Sequence, residues 1–199
     1  MNKSILIFVT IILGIICLNM AWGLSNTMLE TPKYELIKKS GSYEIREYAP
    51  MIIARTQVKS GYKEASSKGF RRIANYIFGG NDKSVEIAMT APVITDSPVG
   101  ANNIYEIAFV MPSAYDREEL PKPNSRNVEI VGRKLETVAT ISFGGWATGE
   151  KVKKYQEKLS NWISEEGLKT AGNFMVAQYN SPWALPPFRH NEIIVRLSQ

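Results

Sequence analysis

The chain holds one histidine, His190, and one cysteine, Cys17, so chemistry that needs clusters of either is closed to it. Zinc sites and iron–sulfur clusters built on several cysteines are excluded. His190 could meet a metal through a neutral imidazole, and a hydrolytic triad would have to use it as its base. No G-x-S-x-G elbow, H-E-x-x-H pair or phosphate loop accompanies it. Gly144, Gly145 and Gly149 outline a phosphate cradle but lack the Lys-Ser/Thr ending, and turn glycines explain them better. Glu106 and Glu192 stand apart because each is flanked by apolar residues, where a carboxylate needs a partner or takes a raised pKa. They could recognise a cation, serve carboxylate-based hydrolysis, or lie on a solvated strand face.

The elements that must position these residues begin after a distinct leader. Lys3 precedes an apolar run of 14 residues, Ile5–Leu18, and then Ala21-Trp22-Gly23. That pattern predicts a signal peptide over 1–23 cleaved after Gly23, with an uncleaved membrane anchor as the alternative. Either reading exports the rest to a periplasmic, extracellular or membrane-anchored position on the non-cytoplasmic side. Residues 24–32 read as a short linker and 33–199 as one domain. Cys17 lies in the leader, so residues 24–199 contain no thiol. With 199 residues, 44% hydrophobic and 22% charged, the chain can bury a core without disulfides. Its net charge of +5 is spread along the sequence, without the basic block or module that binds nucleic acid.

An internal duplication organises the domain, with halves at about 33–111 and 128–199. An offset of 85 lays Tyr43-Glu44-Ile45 on Val128-Glu129-Ile130 and Ile53-Ala54 on Val138-Ala139. An offset of 86 lays Ile73, Asn75, Tyr76 and Ile77 on Leu159, Asn161, Trp162 and Ile163, and Glu106-Ile107 on Glu192-Ile193. A further local gap brings Ala91-Pro92 to Ser181-Pro182. In the first half, β-forming runs at 34–37, 43–48 and 51–59 precede a helical stripe over 61–78, which Gly79-Gly80-Asn81-Asp82 stops. Strands are predicted at 85–93 and 104–111. In the second half, strands at 128–131 and 137–143, a helix over 148–165, and strands at 173–179 and 191–197 repeat the plan. A polar, proline-bearing connection spans 112–127. Neither half covers its own sheet, so the two pack together, and their seam is a natural ligand site.

Tyr43-Glu44-Ile45-Arg46-Glu47-Tyr48, Ala88-Met89-Thr90-Ala91-Pro92-Val93 and Tyr179-Asn180-Ser181-Pro182 together resemble the SOUL haem-binding family. Gly69-Phe70 and Arg189-His190-Asn191-Glu192 extend the likeness over about Lys33 to Leu197. The resemblance implies an α+β fold: a distorted β-barrel of two duplicated βαβ-type halves with two helices packed on the sheets, related to effector-binding domains. It implies a non-catalytic monomer that binds haem or a related tetrapyrrole in a groove between the first helix and the loop before the last strand, for carriage, buffering or sensing. Here that groove would take apolar contacts from Phe70, Ala74, Ile77, Trp183, Leu185 and Phe188, and propionate contacts from Arg71 and Arg72, with Lys68 one turn back. Glu47 stands where one vertebrate member has a histidine, so that axial ligand does not carry over. His190, and after it Tyr179, become the candidates to meet iron. A module for another amphipathic ligand, whether lipid, bilin or cationic drug-like molecule, is the alternative, with Glu106 and Glu192 as its recognising acids.

Overall fold

The computed structural model describes residues 29–96 and 103–198; the expected signal peptide or anchor lies outside them. Short β-forming runs become β1 (Tyr34–Ser40), β2 (Tyr43–Tyr48) and β3 (Met51–Lys59), followed by helix α1 (Tyr62–Ile77) and strands β4 (Val93–Asp96) and β5 (Ile104–Val110). The second half supplies β6 (Glu129–Arg133), β7 (Glu136–Gly144), α2 (Gly149–Glu165), β8 (Thr170–Gln178) and, after a 3₁₀ turn at Pro186–Phe188, β9 (His190–Leu197).

All the strands join one sheet in the order β1-β2-β7-β9-β8-β4-β5-β3-β6. Its ladders are antiparallel. The sheet curls into a half-barrel with β1 and β6 as its edges, which is the barrel-like two-helix architecture that the sequence implied. The two halves exchange a strand. β2 of the first pairs with β7 of the second, and β6 of the second pairs with β3 of the first. Ile45 faces Ala139, and Ile130 faces Ala54, so each pair is the 85-residue image of the other. Gln57 faces Glu106 as Ser142 faces Glu192, which confirms the equivalence of the two glutamates.

One alignment fails. Asp96 faces Glu106 and Ala177 faces Glu192, so β4 corresponds to β8. Ala91-Pro92 precedes its strand whereas Ser181-Pro182 follows its own, and their match was a chance of local sequence. The strand expected over 85–93 is also corrected: only Val93 belongs to β4. The alternation there is real, since Ile87 is buried. Its backbone hydrogen bonds leave the ladder, however: Ile87 N–H donates to the Ile77 carbonyl at the end of α1, and Ala91 N–H to the Glu30 carbonyl.

Both helices are amphipathic and pack on one face of the sheet. α1 buries Ala65, Gly69, Ile73, Tyr76 and Ile77, over β3 and β5. It ends at Gly79, whose φ of +96° suits glycine, and the buried Asn81 amide donates to the Tyr76 and Val85 carbonyls beyond it. α2 starts at Thr148, whose hydroxyl accepts from Lys151 N–H, and buries Val152, Leu159, Trp162 and Ile163 against β2, β7, β8 and β9. The opposite, concave face has its own core of Ile53, Ile94, Val138, Met175 and Ile194, together with Tyr48 at the end of β2 and Leu135 from the β6–β7 connection. The inner face is thereby filled by the protein itself.

α1 approaches the sheet closely through Gly69, where an added Cβ would lie 2.5 Å from Ile107. Gly69→Ala should destabilise the fold by about 1–3 kcal/mol through overpacking. Urea unfolding checks this, and an unshifted midpoint would show that α1 does not sit on β5 as described.

Candidate functional site

Glu192 lies on the central strand β9 and is 2% exposed. A carboxylate so placed must be fully paired. The Arg46 guanidinium reaches it from β2 with two hydrogen bonds of 2.9 and 2.7 Å, and the Tyr179 hydroxyl donates to it at 2.7 Å. His190 Nε2 lies 3.3 Å from its other oxygen. Burial alone would raise the Glu192 pKa, but hydrogen bonds from His190, Arg46 and Tyr179 and the Arg46 charge outweigh it and hold the group down at about 2. Arg46 also bonds Tyr48 and Glu44 and lies over the Tyr34 ring. Burial and the Glu192 charge push the Tyr179 hydroxyl well above its usual range.

The first half carries the counterpart. Glu106 on β5 takes Arg55 from β3 and Arg133 from β6. Asp96 on β4 shares Arg133 at 3.7 Å, and among the described residues its Oδ1 has no hydrogen-bond partner. Burial raises the Asp96 pKa to about 6 against the pull of Arg133, and Glu106 adds to the rise. Both candidate acids are therefore neutralised from within. A guest cation would have to displace an arginine, and a carboxylate held near 2 is a poor general base at neutral pH.

Apolar binding surface appears at the rim instead. Trp146, in the β7–α2 loop, is 50% exposed, and Trp183, Leu185 and Phe188, in the β8–β9 loop, are 78%, 40% and 43% exposed. Arg189 ties the two loops together. Its buried guanidinium donates to the Ala184 and Pro182 carbonyls and stacks 3.6 Å over the Trp146 ring. The Asn191 amide adds bonds to the Phe143 and Gly145 carbonyls, and Pro182, Pro186 and Pro187 stiffen the outer loop. Exposed on a pinned backbone, these four side chains forgo several kcal/mol of burial, at about 1.5–3 kcal/mol for each if fully buried. Gly145, at φ +77°, serves the turn before Trp146, and Lys151 Nζ bonds the Gly144 carbonyl.

The residues expected to line the groove between α1 and the last loop rest on different strands. Phe70 lies tilted against Phe109 at 5.3 Å, half-buried, and Ile77 is in the core at 1% exposure. Arg72 is held by Thr56 and the Gln57 carbonyl, Arg71 is exposed, Ala74 is half-buried, and Lys68 pairs with Glu64. α1 rests on β3 and β5 in the first half, while the 3₁₀ turn of the loop rests on β7 in the second. Trp183, Leu185, Phe188 and His190 do share one neighbourhood; Tyr179 lies inward, its ring tilted against His190 at 4.6 Å. Sequence reasoning missed Trp146 and the organising role of Arg189. The signal available was an aromatic directly after a Gly-Gly turn, at a strand end neighbouring the last loop. A cavity of about 250 Å³, with none of the four exposed rim side chains in its lining, lies between Glu30–Lys33, Pro50-Met51 and Met111–Tyr115; sites that enclose drug-sized ligands run roughly 300–1,000 Å³.

Removing one partner of the buried pair should be costly. Arg46→Met strands the Glu192 charge and should lower stability by about 3–5 kcal/mol, with Arg46→Met/Glu192→Leu recovering most of it; equal losses in both variants would contradict the pairing. The two acids also have opposite pH signatures. The folded pKa of Glu192 lies below its ordinary 4.5, so its contribution is full above that pH and is lost as pH falls toward about 2. The folded pKa of Asp96 lies above its ordinary 3.8, so stability declines as pH rises from there through about 6. Asp96→Asn should therefore gain on the parent at pH 7 and lose that gain near pH 4, as read from urea midpoints across the range.

Comparison with known proteins bears on this arrangement. Mouse "Heme-binding protein 2" is 33% identical over 186 residues, covering 88% of this chain and 90% of its own. The human "Heme-binding protein 2" is 32% identical over 175 residues, covering 83% and 84%. A solved structure described as a hydrolase from Listeria innocua superposes with TM-score 0.58 at 12% identity over 81% of this chain and 94% of its own, a likeness of fold alone. The family model described as SOUL heme-binding protein matches residues 29–196, and the chain belongs to that family.

Proposed function

We propose that this protein binds haem or a related tetrapyrrole, without turning it over, on the rim platform of Trp146, Trp183, Leu185 and Phe188. The observation that carries this reading is the exposure of four large apolar side chains on two loops locked together by Arg189. A flat macrocycle gains most from rigid aromatic surface already in place. Family membership supplies the ligand class. Propionates would be met by Lys151, beside Gly144 in the turn before Trp146. His190, half-exposed at 48% of its side chain, sits at the inner edge with Nε2 toward Glu192. A carboxylate on one ring nitrogen orients an imidazole whose other nitrogen is free to ligate a metal.

Binding without turnover is supported by the chemistry of the buried groups. Glu192 is committed to Arg46, and the single histidine is committed to Glu192. The alternative ligand class of organic cations loses its recognising acids to internal arginines. The basic start and apolar run of residues 3–18 support a place outside the cytoplasm, where the protein would carry, buffer or sense the pigment.

Haemin titration followed at the Soret band tests the proposal. Trp146→Ala/Trp183→Ala should lose about 1–3 kcal/mol of aromatic contact, or roughly tenfold or more in Kd, while Arg71→Ala/Arg72→Ala should bind as the parent does. The reverse order would return the site to α1. His190→Ala should move the Soret band, and an unmoved band would remove this residue from the iron.

A further inference from the structure

The strand registers bring two separate features to one rim of the sheet. β8 ends and β4 begins there, since Gln178 faces Val93. β9 begins there, with Asn191 opposite Gln178, and β7 ends there, with Gly144 opposite His190. The loops bearing Trp146, Trp183, Leu185 and Phe188 project from this rim. β5 ends at it too, with Phe109 opposite Val93. The first described residues are fastened at the same place. Glu30 bridges Thr90, its carbonyl accepts from Ala91 N–H, and its carboxylate accepts from Ser113 N–H at 2.8 Å. Thr90 in turn donates to the Val110 carbonyl. The chain preceding residue 29 therefore joins the fold beside the start of β4 and the end of β5 on this rim.

We propose that the leader is retained as an anchor, the second of the two readings of residues 1–23, and that this rim rests on the lipid bilayer holding the apolar run Ile5–Leu18, with Trp146, Trp183, Leu185 and Phe188 at headgroup level. Only the ten residues 19–28 separate that run from the fastened segment; fully extended they reach at most about 35 Å, so the tether keeps this rim beside the surface. Tryptophan favours that depth, where its ring meets acyl chains and its N–H meets water. Lys151, Lys153 and Lys154 follow Trp146 on the first turns of α2 and complement anionic headgroups, with Glu150 the one acid among them. Among the described residues no helix is long and apolar enough to cross a membrane, so the folded domain touches the bilayer from its surface. A tetrapyrrole is itself amphipathic, so a platform at headgroup level would take it from the lipid phase. That last step rests on the haem reading, whereas docking does not.

The test uses the full chain, with Trp22→Phe to silence the leader, reconstituted in vesicles of phosphatidylcholine and phosphatidylglycerol with brominated acyl chains. Emission comes from Trp146 and Trp183 at the rim and from Trp162 in the core, which is 8% exposed. Bromolipid should quench most of the rim emission, and adding Trp146→Phe/Trp183→Phe should abolish the quenchable part. A chain that floats with the vesicles yet keeps its full emission, or one that does not float, overturns the proposal; self-association through the rim in solution would instead identify a second copy as the occupant and also overturn it. The assay contains no haem. Quenching with no Soret change in solution would sink the haem reading alone, and a Soret change without quenching would sink only the docking.

Discussion

The exchange of strands between the two halves is the constraint on which the rest of this structure depends. A β-β-α-β-β unit standing alone would leave its first strand unsupported and one face of its sheet open. Passing β2 to the second half and β6 to the first lets one continuous sheet serve both halves. It also decides where charge is buried. Arg46 travels on β2 to meet Glu192 of the other half, and Arg133 travels on β6 to meet Glu106. The two cross-half ion pairs thus follow from one topological event, and each joins parts of the chain that local structure could not bring together.

That arrangement has a functional consequence. The exchanged strands bring Tyr48, at the end of β2, and Leu135, just before β7, into the core of the concave face, while the arginines neutralise the acids. An unpaired carboxylate buried in a curled sheet would suit a guest cation, but here it is answered by the protein's own guanidinium. Exposed apolar surface is found instead on loops at the rim, where backbone turns can hold apolar side chains in water without breaking the ladder.

Much of this was legible because duplication writes itself in register. The offset of 85 between Ile45 and Ile130 is the same number that relates their ladder partners Ala54 and Ala139, so an alignment of sequence segments was already a map of pairing. Helix stripes were equally readable, since burial on α1 and α2 follows helical spacing. The run from Val85 failed because side-chain alternation reports which face is buried and not where the N–H groups go; here they serve the end of α1 and the segment at Glu30. α1 and the last loop were each correctly drawn, but strand exchange sets how they sit relative to one another, and exchange leaves no trace in local pattern. Trp146 was passed over because its neighbours Gly144 and Gly145 attracted attention as a cradle, when their work is to turn the chain and present the aromatic.

The charge states follow the same geometry. Arg189 and Arg46 are both buried, at 6% and 5% exposure, yet they do different work. Arg46 faces a carboxylate, and the pair is a closed electrostatic unit in which removal of either charge exposes the full desolvation cost of the other. Arg189 faces carbonyl oxygens and the face of Trp146. Burial accordingly lowers its pKa, and the guanidinium must recover its lost hydration from dipoles and a ring face, contacts that exist only when the two loops keep their positions. The cation therefore transmits rigidity to the platform: loosening either loop would return a buried charge to an unfavourable state. A surface meant to stay apolar and solvent-facing needs such an internal fastening, because hydrophobic burial, the usual source of order, is what that surface has given up.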